Sequence, residues 1–256
     1  MFDLTNKVAV VTGGASGIGL AVVERFVKAG ACVLLVDRNI AKIEGAVFHQ
    51  ADVSAEDEVR GMLEQAKSEF GRVDILINNA GIQPLGVSFN ELTPQLLQRT
   101  FEVNVHSVAF GIKHGGQLLE SGGRIINTGS FVGMIGSPSG TAYSTSKAAV
   151  IHLTKLGAIE LAAKGITVNC VCPGTVLTPA VTDIPNNPEI SFVSKATPLG
   201  RLAWPDEIAA AFHFLASDDA SYITGANIPV DGGITAGWNE YPLTSPNNIV
   251  GGHWHD

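Results

Sequence analysis

A serine, a tyrosine and a lysine lie close together in the segment SFVGMIGSPSGTAYSTSK, and their side chains suit proton transfer. Tyr143 and Lys147 are four residues apart, so they share a face if residues 142–164 are helical. An ammonium within about 4–6 Å favours phenolate and lowers the pKa of a phenol from its ordinary value of about 10. Ser130 adds a neutral hydroxyl that can hold a substrate oxygen. The spacing predicts an acid–base centre, although a packed tyrosine beside a solvated lysine shows the same pattern.

The elements that must position these residues alternate between apolar strands and helices. Strands are predicted at 7–12, 31–36, 46–50, 73–77, 124–128, 166–171 and 227–230, and helices at 17–29, 55–70, 94–119, 142–164 and 205–216. Ser54 is predicted to cap the second helix. Strands that are apolar throughout imply burial on both faces. The pattern predicts an α/β fold, a doubly wound parallel sheet with helices on both faces.

Composition limits the classes of function. The chain has 256 residues, 45% of them hydrophobic, and a net charge of −8. No linker or repeat divides it, so we expect one domain over 1–256. The negative charge, with no cluster of lysine or arginine, argues against a nucleic-acid partner.

The cysteines and the amino terminus indicate a compartment. Cys32, Cys170 and Cys172 all lie in apolar runs, so we expect small buried thiols without a disulfide, as in a reducing environment. The start of the chain lacks a basic segment followed by an apolar core, and no apolar run reaches the roughly 18 residues of a membrane span. We therefore expect a soluble, cytoplasmic protein with no membrane partner.

A glycine-rich turn, TGGASGIG, follows the first predicted strand. Gly13, Gly17 and Gly19 allow backbone N–H groups to approach a pyrophosphate at a helix N-terminus, where the helix dipole favours anions. An ordinary glycine-rich turn remains the alternative.

Asp37 favours the nucleotide-binding interpretation. It ends the second strand, where a carboxylate can accept hydrogen bonds from an adenosine ribose. The same charge repels a 2′-phosphate, which favours NAD over NADP. Arg38, the next residue, leaves that preference open.

The motifs together resemble those of the classical short-chain dehydrogenase/reductase family, from residue 8 to residue 233. The matching features are the turn at 12–19, Asp37, Asp52 and Val53, N-N-A-G at 78–81, Asn104, Ser130, Y-x-x-x-K at 143–147, Pro173 and Gly174, Thr178, and D-G-G at 231–233. Each motif alone is weak, but their shared order and context make the resemblance specific.

The resemblance implies roles for the site residues. Tyr143 would be the acid/base, Lys147 would lower its pKa and hold the nicotinamide ribose, Ser130 would orient the reacting oxygen, and Asn104 would fix a water in a proton relay. The implied cofactor-binding residues are Gly13, Ser16, Gly17, Ile18, Gly19, Asp37, Asp52, Val53, Asn79, Ala80, Gly81, Tyr143, Lys147, Pro173, Gly174 and Thr178. Without the family, Asn78 and Asn79 fit a turn after a strand and Asn104 fits a helix kink or cap.

The activity implied is the NAD-dependent, reversible oxidation of a secondary alcohol to a ketone. Two rivals remain: a non-catalytic NAD-sensing protein, and an epimerase or dehydratase on the same fold. The family also implies a homotetramer.

The segment 175–201 lies where the family places a lid over the substrate. Its apolar residues are Val176, Leu177, Val181, Ile184, Phe192 and Val193, and Phe131, Val132, Met134 and Ile135 follow the serine. These predict an apolar pocket for an alicyclic or aromatic-bearing alcohol that contacts Ser130, Tyr143, Phe131 and Gln83. The alternative is that several of the apolar residues pack into the core.

The last stretch, 234–256, is a tail rich in Gly, Pro and Asn with three aromatic residues, Trp238, Tyr241 and Trp254. His253 and His255 lack a third ligand nearby, so we expect no metal. The aromatic residues could instead contact a neighbouring subunit.

Overall fold

A computed structural model describes residues 2–84, 86–137 and 140–237. It contains seven strands. They are β1 (Val8–Thr12), β2 (Cys32–Asp37), β3 (Ala46–Gln50), β4 (Ile75–Asn78), β5 (Arg124–Thr128), β6 (Thr167–Pro173) and β7 (Asn227–Val230). Each predicted strand is present, with bounds that shift by at most two residues from those predicted.

The strands form one sheet in the order β3-β2-β1-β4-β5-β6-β7, and every neighbouring pair is parallel. The order reverses between β1 and β4, because the chain leaves β3 at one edge and returns beside β1. In such a sheet the loops diverge at the carboxyl ends of the two central strands and leave a crevice there. The predicted Rossmann-type doubly wound fold is confirmed.

Helices cover both faces of the sheet. The described helices are α1 (Gly17–Lys28), α2 (Glu56–Phe70), α3 (Pro94–Phe101), α4 (Ser107–Leu118), α5 (Thr141–Leu161), α6 (Pro179–Thr182), α7 (Pro188–Ala196) and α8 (Pro205–Ala216). Alternate residues of a strand point to opposite faces. Val11 of β1 packs with α1 and α8, whereas its neighbour Val10 packs with α2 and α5. The apolar strands are therefore buried on both sides, as their composition predicts.

Two local predictions are wrong. Ala55, and not Ser54, precedes the first turn of α2, because the Ser54 hydroxyl donates to the Asp52 carboxylate at 2.7 Å instead. Cys32 is exposed, since it begins a strand at the amino edge of the sheet, while Cys170 and Cys172 are buried. All three thiols are free, as expected.

The predicted helix over 94–119 is interrupted. A π-helical segment, Glu102–His106, lies between α3 and α4. Such wide turns inside helices are frequent at functional sites, and Asn104 is at the centre of this one. Asn104 therefore lies where the regular α-helical pattern is interrupted.

Candidate active site

Helix α5 presents Tyr143 and Lys147 on one face. The Lys147 ammonium nitrogen lies 5.6 Å from the centre of the Tyr143 ring. It also donates a 2.8 Å hydrogen bond to the carbonyl oxygen of Thr128, at the end of β5. Lys147 is only 4% exposed, so its charge lies inside the protein. The four-residue spacing places the two side chains together, as predicted.

The pKa of the Tyr143 phenol is shifted upwards, whereas the sequence predicts a downward shift. Burial of the hydroxyl end raises the pKa of Tyr143 to about 12; a hydrogen bond with Ser130 opposes this, and the negative charge of Glu189 adds to it. Burial lowers the pKa of Lys147 to about 8. Lys147 lies beside the ring and is bonded to Thr128, so in the protein alone desolvation outweighs any lowering by the ammonium.

Ser130 completes the cluster. It follows β5 by two residues, is 6% exposed, and its side-chain oxygen accepts a hydrogen bond of 3.4 Å from the backbone N–H of Val132. Its hydroxyl is also bonded to the Tyr143 phenol. Phe131 begins the short helical turn that follows, Phe131–Gly133, and is half-buried. The loop after β5 and the first turn of α5 thus bring Ser130 to Tyr143.

Asn104 links two parts of the site. Its Oδ1 accepts from the Ile82 backbone N–H at 2.8 Å, and its Nδ2 donates to the Ile82 carbonyl at 2.9 Å and to the Ser146 hydroxyl at 3.0 Å. A Cβ on Gly81 would lie 3.2 Å from Asn104 Oδ1 and 3.5 Å from Lys147 Nζ. Asn104 therefore fixes the loop after β4 against α5, close to the lysine.

A cleft of about 310 Å³ opens at the carboxyl ends of the central strands and reaches Tyr143 and Lys147. It contains most of the predicted cofactor-binding residues. Those lining it are Gly13, Ser16, Gly17, Ile18, Asp37, Asp52, Val53, Asn79, Ala80, Gly81, Tyr143, Lys147 and Thr178, together with the predicted substrate contact Gln83.

The turn between β1 and α1 has the form that a dinucleotide pyrophosphate needs. Gly13 and Gly17 have positive φ, +66° and +56°, which residues with a Cβ rarely adopt. A Cβ on Gly19 would lie 2.0 Å from the Gly13 carbonyl oxygen. Only glycine lets the helix start so close to the turn, and the free N–H groups there attract anions. The chain thus fits the phosphates of a dinucleotide.

Asp37 lies at one end of the cleft and its carboxylate is held in place. Oδ2 accepts from the backbone N–H of Ala15 at 3.1 Å, and Oδ1 accepts from that of Asn39 at 2.9 Å. The carboxylate joins the glycine turn to the end of β2. Arg38 lines the same cleft.

Three predicted cofactor-binding residues do not line the cleft. Gly19 serves the packing of α1 against the turn. Pro173 is the last residue of β6, and a Cβ on Gly174 would lie 2.8 Å from the Cα of Asp231. Gly174 therefore permits the close approach of the D-G-G segment after β7.

Comparison of the chain with models of protein families shows the family to which it belongs. A model described as "Enoyl-(Acyl carrier protein) reductase" matches residues 13–235, which span the glycine turn, the serine, the tyrosine and the lysine. The chain belongs to the classical short-chain dehydrogenase/reductase family. As a family member it is an oxidoreductase, and the family implies a nicotinamide cofactor.

Individual relatives of this dehydrogenase/reductase are similar over nearly the whole chain. A 3alpha-hydroxysteroid dehydrogenase of Mediterraneibacter gnavus is 42% identical over 90% of this chain and 97% of its own length. A cis-4-hydroxycyclohexanecarboxylate dehydrogenase of Sinomonas cyclohexanicum is 38% identical over 90% of this chain and 97% of its own. The crystal structure of a levodione reductase superimposes with a TM-score of 0.86 at 31% identity, covering 91% of this chain and 99% of that one.

Sequence reasoning missed several residues of the cleft in this dehydrogenase/reductase. They are Val36, Asn39, Ala51, Ile82, Val103, Thr128, Pro179 and Ala180. Most directly follow, or lie at, the carboxyl end of a strand, which is the signal that could have found them. Pro179 and Ala180 begin α6.

The segment 175–201 contains α6 and α7. Val176 packs into the main core, and Val181 and Val193 form a smaller cluster with Leu202. These three residues therefore pack inside the protein, which is the alternative to a substrate pocket that the sequence left open. Ile184 and Phe192 are 40% and 66% exposed and remain available to a ligand. The same holds for Met134 and Ile135, which follow Ser130 and are 42% and 43% exposed.

Two further predictions concern membrane spans and metal ligands. No helix there is long and apolar enough to cross a membrane. No group of three His, Cys, Asp or Glu side chains is placed there to hold a metal ion. The predictions about the tail from Trp238 to His255 lie outside the described residues.

Proposed function

We propose that the protein is an NAD-dependent dehydrogenase that interconverts a secondary alcohol and its ketone, with Tyr143 as the acid/base. The observation that carries the proposal is that Tyr143 and Lys147 lie together in the cleft, with Ser130 next to the Tyr143 phenol. A phenol beside a neutral hydroxyl and a buried ammonium can give or take one proton at a substrate oxygen.

Asp37 supports NAD over NADP. Its carboxylate is fixed by two backbone N–H groups and faces the cleft at the end of β2. A carboxylate fixed there can accept hydrogen bonds from two ribose hydroxyls, and its negative charge repels a 2′-phosphate. Arg38 lies next to it, so the preference is the part of the proposal that needs its own test.

Ser130, Tyr143 and Lys147 have different roles in the proposed reaction. The cleft residues would hold NAD, which would supply the hydride acceptor for alcohol oxidation and, as NADH, the hydride donor for ketone reduction. Ser130 holds the substrate oxygen, and Tyr143 takes the hydroxyl proton during oxidation and gives it back during reduction. Because the pKa of Tyr143 is raised, the phenol is protonated at neutral pH, which suits ketone reduction. Lys147 holds positive charge beside the ring where phenolate forms.

Asn104 positions the loop that follows β4. It ties the Ile82 backbone to Ser146, one residue before Lys147. This fixes the loop after β4, and with it Gly81, beside the lysine. We propose that a water bound near Asn104 connects the lysine to solvent, as the family resemblance implies.

An apolar, cyclic alcohol fits the surroundings best. Met134, Ile135, Ile184 and Phe192 are exposed apolar side chains on the segments that follow Ser130 and β6, and we propose that they contact the substrate. The two relatives named above act, by their names, on a steroid and a hydroxycyclohexane. We propose an alicyclic or aromatic-bearing secondary alcohol, with Phe131 and Gln83 as further contacts.

Helix α5 also supports the implied homotetramer. Leu156 and Ile159 on its outer surface are 44% and 76% exposed. Apolar side chains of this size on an exposed helix are suited to burial against another subunit. Light scattering of the purified protein tests the assembly: a mass of four chains supports it, and a mass of one chain contradicts it.

A screen of secondary alcohols and ketones followed at the nicotinamide absorbance tests the proposed reaction. We expect stoichiometric NADH formation with a cyclic alcohol and its consumption with the matching ketone. Tight NAD binding without turnover across the panel would favour the NAD-sensing alternative. A product isomerised or dehydrated without net NADH would favour the epimerase or dehydratase.

A further inference from the structure

The turn that carries Ser130 is bonded to helix α5 through the backbone of Val132. The Val132 N–H donates to the Ser130 side-chain oxygen at 3.4 Å, and the Val132 carbonyl oxygen accepts a hydrogen bond from the Ser144 hydroxyl. Ser144 directly follows Tyr143 in the first turn of α5. Val132 therefore links the Ser130 hydroxyl to the helix that carries the phenol.

The same turn also packs against the backbone of α5. The Gly133 N–H donates to the Ser130 carbonyl at 3.0 Å, which closes the turn. A Cβ on Gly133 would lie 2.7 Å from the Lys147 carbonyl carbon and 2.8 Å from the Ala148 nitrogen, closer than packed atoms allow. Because both contacts are backbone atoms of a helix, they cannot move aside as a side chain can. An added methyl group therefore has to push the turn, and Ser130 with it, away from α5.

The two contacts lie one turn of α5 apart, next to the two reacting groups of the helix. Ser144 follows Tyr143, and Gly133 meets the helix at Lys147. Helix ends fray, so contacts from outside the helix are needed to fix its first turn. The phenol and the Ser130 hydroxyl must both reach one substrate oxygen, and a misplacement of about 1 Å can reduce the rate about a hundredfold. The contacts of Ser144 and Gly133 control this placement.

We propose that Ser144 and Gly133 are positioning residues of the reaction, which hold the Ser130 hydroxyl in register with the Tyr143 phenol. This rests on the proposed function, because it names further residues that serve the same site. Neither belongs to the described residues that line the cleft. Each therefore acts through Ser130 and leaves the contacts of the cofactor in place.

A matched pair of hydroxyl deletions tests the role of Ser144 in the full-length protein. Ser144→Ala removes the hydroxyl that binds the Val132 carbonyl. Thr145→Ala is the control, because the Thr145 hydroxyl donates to the Thr141 carbonyl within the same helix, at 2.7 Å. With the best alcohol of the screen, we expect kcat to fall about tenfold in Ser144→Ala and to stay at the wild-type value in Thr145→Ala. Ser144→Thr keeps a hydroxyl and should retain most of the turnover.

A matched pair of added methyl groups tests the role of Gly133. Gly133→Ala places a methyl group against α5, whereas Gly136→Ala, in the same loop, places one where a Cβ meets nothing within 4 Å. We expect kcat to fall about a hundredfold in Gly133→Ala and to stay unchanged in Gly136→Ala. NADH binding, measured by calorimetric titration, should stay nearly unchanged in both variants.

A double-mutant cycle separates positioning from a general loss of structure. If Ser144 acts by placing Ser130, the loss of kcat from Ser144→Ala disappears in the Ser130→Ala background, because no hydroxyl is left to place. A packing defect that acts independently of Ser130 would lower kcat by the same factor in both backgrounds. The same cycle with Gly133→Ala shows whether that variant also acts through Ser130.

The outcomes distinguish this inference from the function on which it rests. Wild-type turnover in Ser144→Ala, or equal losses in the two backgrounds, overturns the positioning role and leaves the proposed reaction standing. Equal losses in Gly133→Ala and Gly136→Ala overturn the role of Gly133. If Gly133→Ala does not fold, the Ser144 variants and their cycle decide the proposal. Failure of the wild-type protein to oxidise any alcohol of a broad panel overturns the proposed reaction, and the inference with it.

Discussion

Lys147 places its ammonium nitrogen 5.6 Å from the centre of the Tyr143 ring while bonded to the Thr128 carbonyl. This relationship joins a helix to the end of the central sheet. It brings a buried cation to the face of a phenol at the inner end of the cleft. It also costs stability, because the charge is removed from water.

Tyr143→Phe tests the acid/base assignment. Loss of the hydroxyl removes the proton donor and acceptor, so we expect kcat to fall about a hundredfold or more. NADH binding, measured by fluorescence titration, should stay nearly unchanged. Tyr222→Phe is the control, since Tyr222 is fully exposed on the surface, at 101%. Near-normal turnover in Tyr143→Phe would contradict the assignment.

Lys147→Met should stabilise the protein while reducing activity. The folded-state pKa of Lys147 is about 8, below the ordinary 10.5, so the folded state binds this proton less readily than the unfolded one. Wild-type stability should therefore rise with pH between about 8 and 10.5. The variant lacks the buried charge, so at pH 7 we expect a gain of up to about 3 kcal/mol, reduced by the lost bond to Thr128.

Urea unfolding at pH 7 and at pH 10 checks the sign. The difference between variant and wild type should shrink towards pH 10, because the wild-type lysine is then mostly neutral in the folded state. A variant that is less stable at both pH values would show that the bond to Thr128 outweighs the burial of the charge.

Asp37→Ser tests cofactor choice. Removing the carboxylate should lower the ratio of kcat/KM for NAD to that for NADP by about tenfold or more, since a like charge near a 2′-phosphate disappears. Asp37→Asn separates charge from geometry, because its amide oxygen can still accept one of the bonds from Ala15 and Asn39. An unchanged ratio in both variants would show that Asp37 does not select the cofactor.

Gly19→Ala tests the close approach of α1 to the glycine turn. The added Cβ would lie 2.0 Å from the Gly13 carbonyl, so the turn must shift. We expect a loss of about 1–3 kcal/mol in the free energy of unfolding and weaker NADH binding. The control is Gly61→Ala within α2, where a Cβ meets nothing within 4 Å. There we expect a gain of about 1 kcal/mol from helix propensity.

Calorimetric titration with NADH and thermal unfolding measure both effects. If Gly19→Ala binds NADH as tightly as wild type, the turn is not the pyrophosphate site. If both alanine variants lose stability equally, close approach is not the reason for glycine at position 19.

Local patterns along the chain were sufficient for the fold and for part of the site. Alternation of apolar strands with helices predicted the doubly wound sheet, since residues that must be buried on both faces leave little choice of architecture. The four-residue spacing placed Tyr143 beside Lys147, and the glycines marked the turn after β1. The strand and helix pattern, the Tyr143–Lys147 pair and the glycine turn depend on the spacing of residues along the chain and on the backbone freedom of glycine. Both can be read from the sequence.

Tertiary structure decided the rest. The sequence predicted a lowered pKa for Tyr143, yet burial raises it, because desolvation depends on every group packed around the hydroxyl. Ser54 bonds Asp52 instead of capping α2, and the helix around Asn104 widens into a π-turn. Glu189 raises the pKa of Tyr143 only because folding brings its charge near the phenol from a distant part of the chain. Spacing along the chain is local, whereas burial and charge act through space, so only the folded protein reveals them.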